Sequence, residues 1–157
     1  YQIIHQTGRK LFMEISGRAA VALEQNEYKN RYKSFAYLNT LALRMSAGVA
    51  DLIISRAGAG SISEIAFWAL PSIIIPIPEN VSVDQRKNAF AYARAGAAIV
   101  IEQKNLTPRL FLSEINKLMK NDVAKEKLSV NAKKFARAGA AQKIANEIIN
   151  IALEYTE

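Results

Sequence analysis

A glycine-containing turn at residues 55–64 carries the side chains best suited to binding a ligand. The apolar residues 52–54 before it predict a short buried strand, and Ser61 opens a predicted amphipathic helix. The first turn of a helix has backbone N–H groups without partners, and the helix dipole favours negative charge there. The segment therefore predicts an anion site, with a phosphate or diphosphate as the expected ligand.

The same turn also has a purely structural interpretation. Ser61 and Glu64 have the spacing of a capping box, in which the two side chains satisfy the first N–H groups of the helix. Gly58 and Gly60 can serve only to make the turn tight. The spacing is not that of a P-loop, because no Gly-Lys-Ser/Thr follows, and Ser63 occupies the third glycine of G-x-G-x-x-G. The local pattern leaves both interpretations open.

Segments with strand and helix patterns alternate around this turn. Predicted strands cover residues 2–5, 32–37, 52–54, 72–76 and 97–102, and predicted helices cover 9–25, 38–47, 61–68, 82–95, a stretch from 107, 123–136 and 140–155. The strands are apolar on both faces, which predicts an α/β fold with a parallel sheet and helices on both of its faces. Ligands of such sheets bind beyond the carboxyl ends of the strands. Ser82 and Gln85 form a second candidate capping box at that edge.

Composition narrows the classes of partner and cofactor. Half of the 157 residues are apolar, which is enough for one domain with a core. The formal net charge of +7 favours anionic partners, but the basic residues are scattered, so nucleic acid is not expected. The chain has no cysteine and one histidine, which excludes disulfides, thiolate metal sites and sites built on several histidines. Its apolar runs are too short to span a bilayer.

Several motifs recur in the order and spacing of one known family. They are Ile-His-Gln-Thr-Gly at 4–8, Ala-Asp-Leu-Ile-Ile-Ser-Arg-Ala-Gly-Ala-Gly-Ser-Ile-Ser-Glu-Ile-Ala at 50–66, Leu-Pro at 70–71, Ile-Ile-Pro at 74–76, Asp-Gln at 84–85, Asn-Ala at 88–89 and Ala-Gly-Ala-Ala at 95–98. The chain thereby resembles the C-terminal half of the MurG-type peptidoglycan N-acetylglucosaminyltransferases of glycosyltransferase family 28.

The resemblance implies a fold and a domain organisation. Such enzymes have two Rossmann-like domains facing a cleft, the GT-B arrangement. Residues 1–157 would be a single, partial C-terminal domain that binds the donor nucleotide, with its first strand missing. The N-terminal acceptor domain, which supplies the proposed catalytic base, would be absent, so the catalytic residues are unknown and this chain alone is expected to be inactive. We also expect residues 2–5 to join the sheet with an exposed apolar edge.

The resemblance also implies the residues that bind the substrate. Glu64 would accept hydrogen bonds from the ribose hydroxyls, and Arg56 would help to balance the charge of the diphosphate. Gln85 would contact the sugar hydroxyls with Asp84 beside it, and the backbone of Ala36 would contact the uracil. The nucleotide loop would consist of Ala59, Gly60, Ser61, Ile62, Ser63 and Glu64.

The implied reaction is an inverting transfer of N-acetylglucosamine from UDP to undecaprenyl-diphospho-muramoylpentapeptide, from lipid I to lipid II. Its partners would be a UDP-sugar, the lipid-linked acceptor and an anionic membrane surface. It would act as a peripheral protein at the cytoplasmic face of the bacterial inner membrane. Neither a metal nor another cofactor is expected, because oriented N–H groups would stabilise the leaving UDP.

Two other functions remain open from the sequence. The chain could be the donor-binding subunit of a two-chain UDP-sugar transferase that acts on another lipid-linked acceptor. It could also be a non-catalytic module that binds a nucleotide or a nucleic acid through its positive charge.

Overall fold

The computed structural model describes residues 1–136 and 139–154. Their strands and helices, in chain order, are β1 (Ile3–Gln6), α1 (Phe12–Leu23), β2 (Tyr32–Phe35), α2 (Thr40–Gly48), β3 (Ile53–Ser55), α3 (Ala59–Trp68), β4 (Ser72–Ile74), α4 (Val83–Arg94), β5 (Ile99–Val100), α5 (Pro108–Met119), α6 (Asp122–Phe135) and α7 (Ala140–Glu154). Short 3-10 helices cover Lys29–Arg31 and Gln103–Asn105. Tyr155, which the sequence placed in the last helix, lies outside the described residues. The chain divides into two compact units, Tyr1–Val49 and Ala50–Glu157.

In the first unit, β1 and β2 form a parallel pair with Ile3 opposite Tyr32. We predicted residues 2–5 as a strand of the sheet; the strand covers residues 3–6 instead and pairs in parallel with β2 in a separate two-stranded sheet. Ile3 and Ile4 are about half exposed. Helix α1 is linked to β2 by a hydrogen bond between the hydroxyls of Ser16 and Ser34 (2.9 Å).

In the second unit, three parallel strands lie in the order β3-β4-β5, with β4 at the centre. Ile74 packs into one apolar cluster with residues of α3, α4 and α6. Ile73 and Ile75 point into a second cluster with residues of α5 and α6. Alternate side chains of one strand thus reach helices on opposite faces of the sheet, which confirms the predicted α/β architecture.

Local side-chain chemistry sets several boundaries of these elements. The oxygens of Asn39, Thr107 and Asn121 accept hydrogen bonds from the backbone three residues later and so cap α2, α5 and α6. Helix α3 ends at Ala69, which adopts a left-handed conformation (φ 54°) that alanine rarely takes. Ser129 of α6 donates a hydrogen bond to the Ala69 carbonyl, which satisfies this partly buried group.

Candidate functional site

The N-terminus of α3 presents backbone donors at the carboxyl edge of the sheet. The first hydrogen bond of the helix joins the Ile62 N–H to the Gly58 carbonyl (3.0 Å). Consequently the N–H groups of Ala59, Gly60 and Ser61 have no acceptor within the helix. Gly58, the N-cap residue, provides no side-chain cap either. These three donors, at the positive end of the helix dipole, form a potential anion site.

The alternative interpretation, a capping box formed by Ser61 and Glu64, is wrong. The helix begins at Ala59, so Ser61 is already its third residue and cannot act as the N-cap. The first turn contains no acidic residue, because Glu64 is the sixth helical residue; it therefore lies beyond the turn in which a capping-box glutamate must be. Glu64 and Ser63 are exposed, and Ile62 is buried in the core. The Glu64 carboxylate makes no hydrogen bond or ion pair with residues 1–136 or 139–154, so it is available to a ligand.

Arg56 lies across the ends of two neighbouring strands. Its Nη1 donates to the Gln103 side-chain oxygen (2.8 Å), to the Ile75 carbonyl (3.2 Å) and, at 3.5 Å, to the Pro76 carbonyl. These contacts fix an exposed guanidinium at the carboxyl edge of the sheet, where it adds positive charge near the start of α3.

Gln85 links the two loops that follow β3 and β4. Its Oε1 accepts hydrogen bonds from the Ala57 N–H (3.2 Å) and the Ile77 N–H (3.4 Å). The candidate capping box at Ser82 and Gln85 is therefore absent as well, because the Gln85 oxygen is occupied by the neighbouring loops. Ser82 does precede α4, but its side chain makes no capping hydrogen bond. Asp84 is exposed in the first turn of α4.

Ala36 belongs to the first unit, where it directly follows β2. The chain on either side of it is anchored to the turn after β1: the Thr7 N–H donates to the Phe35 carbonyl (2.9 Å), and the Leu38 N–H donates to Gln6 Oε1 (2.8 Å). The structure thus brings Arg56, the α3 N-terminus, Asp84 and Gln85 to one edge of the second unit and places Ala36 at the corresponding edge of the first sheet.

An ion-pair cluster around Arg86 of α4 lies beside this edge. Arg86 contacts Glu102 (2.7 Å) and Glu79 (3.1 Å), and Lys104 contacts Glu102 (3.2 Å). The hydrogen bond with Glu102 and the nearby carboxylates raise the pKa of Arg86. The hydrogen bonds from Arg86 and Lys104 hold the pKa of Glu102 below its usual value. Because Arg86 is already neutralised by two carboxylates, Arg56 is the better candidate to compensate a bound diphosphate.

Two surface cavities lie away from the predicted residues. One, of about 610 Å³, lies between α1 and β2 in the first unit, and the other, of about 310 Å³, lies between β5 and α5 in the second. Neither of these two cavities is lined by a predicted site residue. Within the described ranges there is no group of three acidic or histidine side chains that could hold a metal, and no helix long and apolar enough to cross a membrane.

We predicted no role for Asn88 or Gln103 from the sequence. Asn88 Nδ2 donates to the Ala57 carbonyl (3.3 Å), and Gln103 receives the hydrogen bond from Arg56. Asn88 is three residues after Gln85 on α4, so the two side chains lie on the same face of the helix. This spacing could have indicated that they contact the same segment. Gln103 lies in a 3-10 helix after β5, and no local pattern indicated its contact with Arg56.

Comparison with known proteins decides the family. The profile of the glycosyltransferase family 28 C-terminal domain matches residues 1–147. This chain belongs to that family. Two curated relatives share the printed name UDP-N-acetylglucosamine--N-acetylmuramyl-(pentapeptide) pyrophosphoryl-undecaprenol N-acetylglucosamine transferase. The protein from Limosilactobacillus fermentum is 30% identical over 92% of this chain, and that from Halothermothrix orenii is 32% identical over 94%.

This family 28 domain spans 38% and 39% of the length of those two relatives. Among solved structures, Acinetobacter baumannii MurG superposes with a TM-score of 0.76 at 27% identity, over 95% of this chain and 41% of that one. The glycosyltransferase of kitacinnamycin superposes with a TM-score of 0.63 at 20% identity, over 96% of this chain and 43% of that one, which indicates a shared fold. The resemblance found in the motifs is thereby confirmed.

Proposed function

We propose that this chain binds UDP-N-acetylglucosamine as the donor half of an inverting hexosyltransferase. The transferase would add the sugar to undecaprenyl-diphospho-muramoylpentapeptide in peptidoglycan synthesis. The observation that carries the proposal is the uncapped N-terminus of α3, whose free N–H groups lie within the segment that resembles the family's nucleotide loop. Relatives named for this reaction support the choice of donor and acceptor.

The proposed arrangement assigns one part of the donor to each group. The diphosphate would accept hydrogen bonds from the N–H groups of residues 59–61, with Arg56 nearby. Glu64 is five residues after Ala59, about 7.5 Å along the helix axis at 1.5 Å per residue, and would reach the ribose hydroxyls. Gln85 would offer its amide nitrogen to the sugar, since its oxygen is engaged with Ala57 and Ile77. The backbone of Ala36 would contact the uracil.

Glycine at position 60 gives further support. A Cβ added there would meet nothing within 4 Å, and its φ is not positive, so neither packing nor backbone conformation requires glycine. The space at this position leaves room for a phosphate to approach the backbone closely.

The chemistry that follows needs charge stabilisation as UDP leaves the anomeric carbon. We propose that the preorganised N–H groups and Arg56 supply it without a metal or other cofactor. A general base would take the proton from the acceptor hydroxyl. The proposed location is the cytoplasmic face of the inner membrane, as a peripheral protein with access to the lipid-linked acceptor.

Calorimetric titration of the chain tests the proposal. We expect saturable binding of UDP-N-acetylglucosamine and UDP, weaker binding of ADP and GDP, and no effect of EDTA. Single-stranded DNA serves as the charge control, since binding driven by the net charge of +7 should fall steeply with salt. Binding of DNA with no measurable affinity for UDP would favour the nucleic-acid-binding alternative and refute the proposal.

A further inference from the structure

Ala57 is a buried residue that follows β3, and its backbone N–H and C=O groups take no part in the hydrogen bonds of the sheet. The last ladder contact of β3 joins the Ile75 N–H to the Ser55 carbonyl (2.8 Å), two residues before Ala57. The Ala57 side chain is fully buried in the core between α3, α4 and β4. Buried backbone N–H and C=O groups need partners, so both groups of Ala57 must find them outside the ladder.

Two side chains of α4 provide these partners. Gln85 Oε1 accepts from the Ala57 N–H (3.2 Å), and Asn88 Nδ2 donates to the Ala57 carbonyl (3.3 Å). The two residues are three apart and therefore lie on the same face of the helix. Together they hold both polar groups of one peptide residue, and we name this pair of contacts the Ala57 clamp.

The position of the clamp connects it to the proposed ligand. Ala57 is followed at once by Gly58, the N-cap of α3, and then by the three free N–H groups of residues 59–61. Fixing the Ala57 peptide fixes the direction in which the chain enters the helix. It therefore fixes where those N–H groups point.

We propose that Asn88 is a positioning residue for the donor site. It does not contact the ligand; it holds the Ala57 carbonyl and so presents the N-terminus of α3 to the diphosphate. The identity of the ligand rests on the proposed function, whereas the clamp itself rests on the two hydrogen bonds above. Loss of this single hydrogen bond should change the amide exchange rate at Ala57 and the dissociation constant of UDP by about five- to tenfold each.

The test compares Asn88→Ala with a matched control, Asn131→Ala. Asn131 of α6 also donates its amide to a backbone carbonyl, that of Gly96 (3.1 Å), but after the far end of α4. Amide exchange is followed by NMR at Ala57, whose N–H is bonded to Gln85 and whose carbonyl is bonded to Asn88, and at Ile77, whose N–H is bonded to Gln85 and which makes no hydrogen bond with Asn88. UDP affinity is measured by calorimetry and thermal stability by melting.

For Asn88→Ala we expect exchange at Ala57 to be about five- to tenfold faster, little change at Ile77, and UDP bound about five- to tenfold more weakly. Asn131→Ala should lower the melting temperature about as much as Asn88→Ala does, but it should leave UDP affinity unchanged. If Asn88→Ala does not fold, Asn88→Ser provides the second variant, because its hydroxyl ends too close to the backbone to reach Ala57.

Three results would decide against the inference. Unchanged exchange at Ala57 in Asn88→Ala would show that the Asn88 contact with the Ala57 carbonyl does not hold this segment in place. Equal loss of UDP affinity in the Asn88 and Asn131 variants would show a general effect of stability. Faster exchange at Ala57 with unchanged UDP affinity would place the ligand elsewhere. If the wild-type chain itself does not bind UDP, the proposed function fails, and the exchange rates alone still decide whether the clamp exists.

Discussion

Replacement of Glu64 by alanine should weaken UDP binding without destabilising the protein. Glu64 is exposed on α3 and has no hydrogen bond or ion pair with the described part of the chain. Since it does not cap the helix, its removal deprives no N–H group of a partner. We therefore expect the free energy of unfolding to change by less than about 0.5 kcal/mol, as is usual for surface substitutions.

The expected loss of binding is larger than that. A carboxylate that accepts hydrogen bonds from the two ribose hydroxyls contributes about 1–3 kcal/mol, because hydrogen bonds to charged groups are the stronger ones. This range corresponds to roughly five- to 150-fold weaker UDP binding for Glu64→Ala. The variant should also lose its preference for UDP over 2′-deoxy-UDP, since the lost contact is the one that senses the 2′-hydroxyl.

Calorimetry with UDP and 2′-deoxy-UDP, together with melting curves, measures both effects. Glu126→Ala is the matched control, because Glu126 is also exposed on a helix and its removal raises the net charge by the same amount. Its UDP affinity should equal or slightly exceed that of the wild type. If the wild type does not distinguish the two nucleotides, Glu64 does not bind the ribose, and our assignment is refuted.

Three further predictions concern stability and its relation to binding. Gly60→Ala should raise the free energy of unfolding by about 0.5–1 kcal/mol, since alanine favours the helix. It should also weaken UDP binding at least about tenfold, since the added methyl group fills the open space. Melting curves and calorimetry measure the two effects, and an unchanged UDP affinity would contradict the proposed site. Tyr92→Phe should cost less than about 1 kcal/mol, because the buried hydroxyls of Tyr92 and Ser72 have no hydrogen-bond partner of good geometry among the described residues. Burial raises the pKa of Tyr92 from 10.0 to about 12, with Ser72 acting weakly in the other direction, so wild-type stability should fall as the pH rises from 10 to 12, and Tyr92→Phe should lack that loss in urea titrations at each pH. Glu102→Gln should lower stability at pH 7. Because the pKa of Glu102 is lowered from 4.5 in the folded protein, its stabilisation is lost as the pH falls from 4.5 through the folded pKa, so the difference from the wild type should shrink over that range and vanish below it; a difference that persists in stronger acid would refute the ion-pair explanation.

The alternation of strands and helices could be predicted because it depends on apolar periodicity, a property of local sequence. All five predicted strands are present, although β5 contains only Ile99 and Val100, since only these two residues pair with β4. The helix start at Pro108 was predictable from Thr107-Pro108, because both the cap and the fixed φ of proline act within one turn.

The start of α3 could not be predicted in this way. Ser61-x-x-Glu64 matches a capping box, but the helix begins two residues earlier, directly after the Ala57 peptide that α4 holds in place. Likewise, Gln85 was predicted as a cap or a sugar ligand, while its oxygen bonds to two loops that are distant in sequence. Tertiary contacts decided both features, and no local pattern contains them.

The central strand β4 makes the second unit unfold cooperatively. Ile73 and Ile75 belong to one apolar cluster and Ile74 to the other, and all three are buried. Neither cluster can therefore separate from the sheet without disturbing the backbone on which the other is built, so the two should melt in a single cooperative transition. A ligand held at the carboxyl edge of this sheet would then slow hydrogen exchange in β4 itself, because free energy gained at the surface is shared by everything that unfolds together.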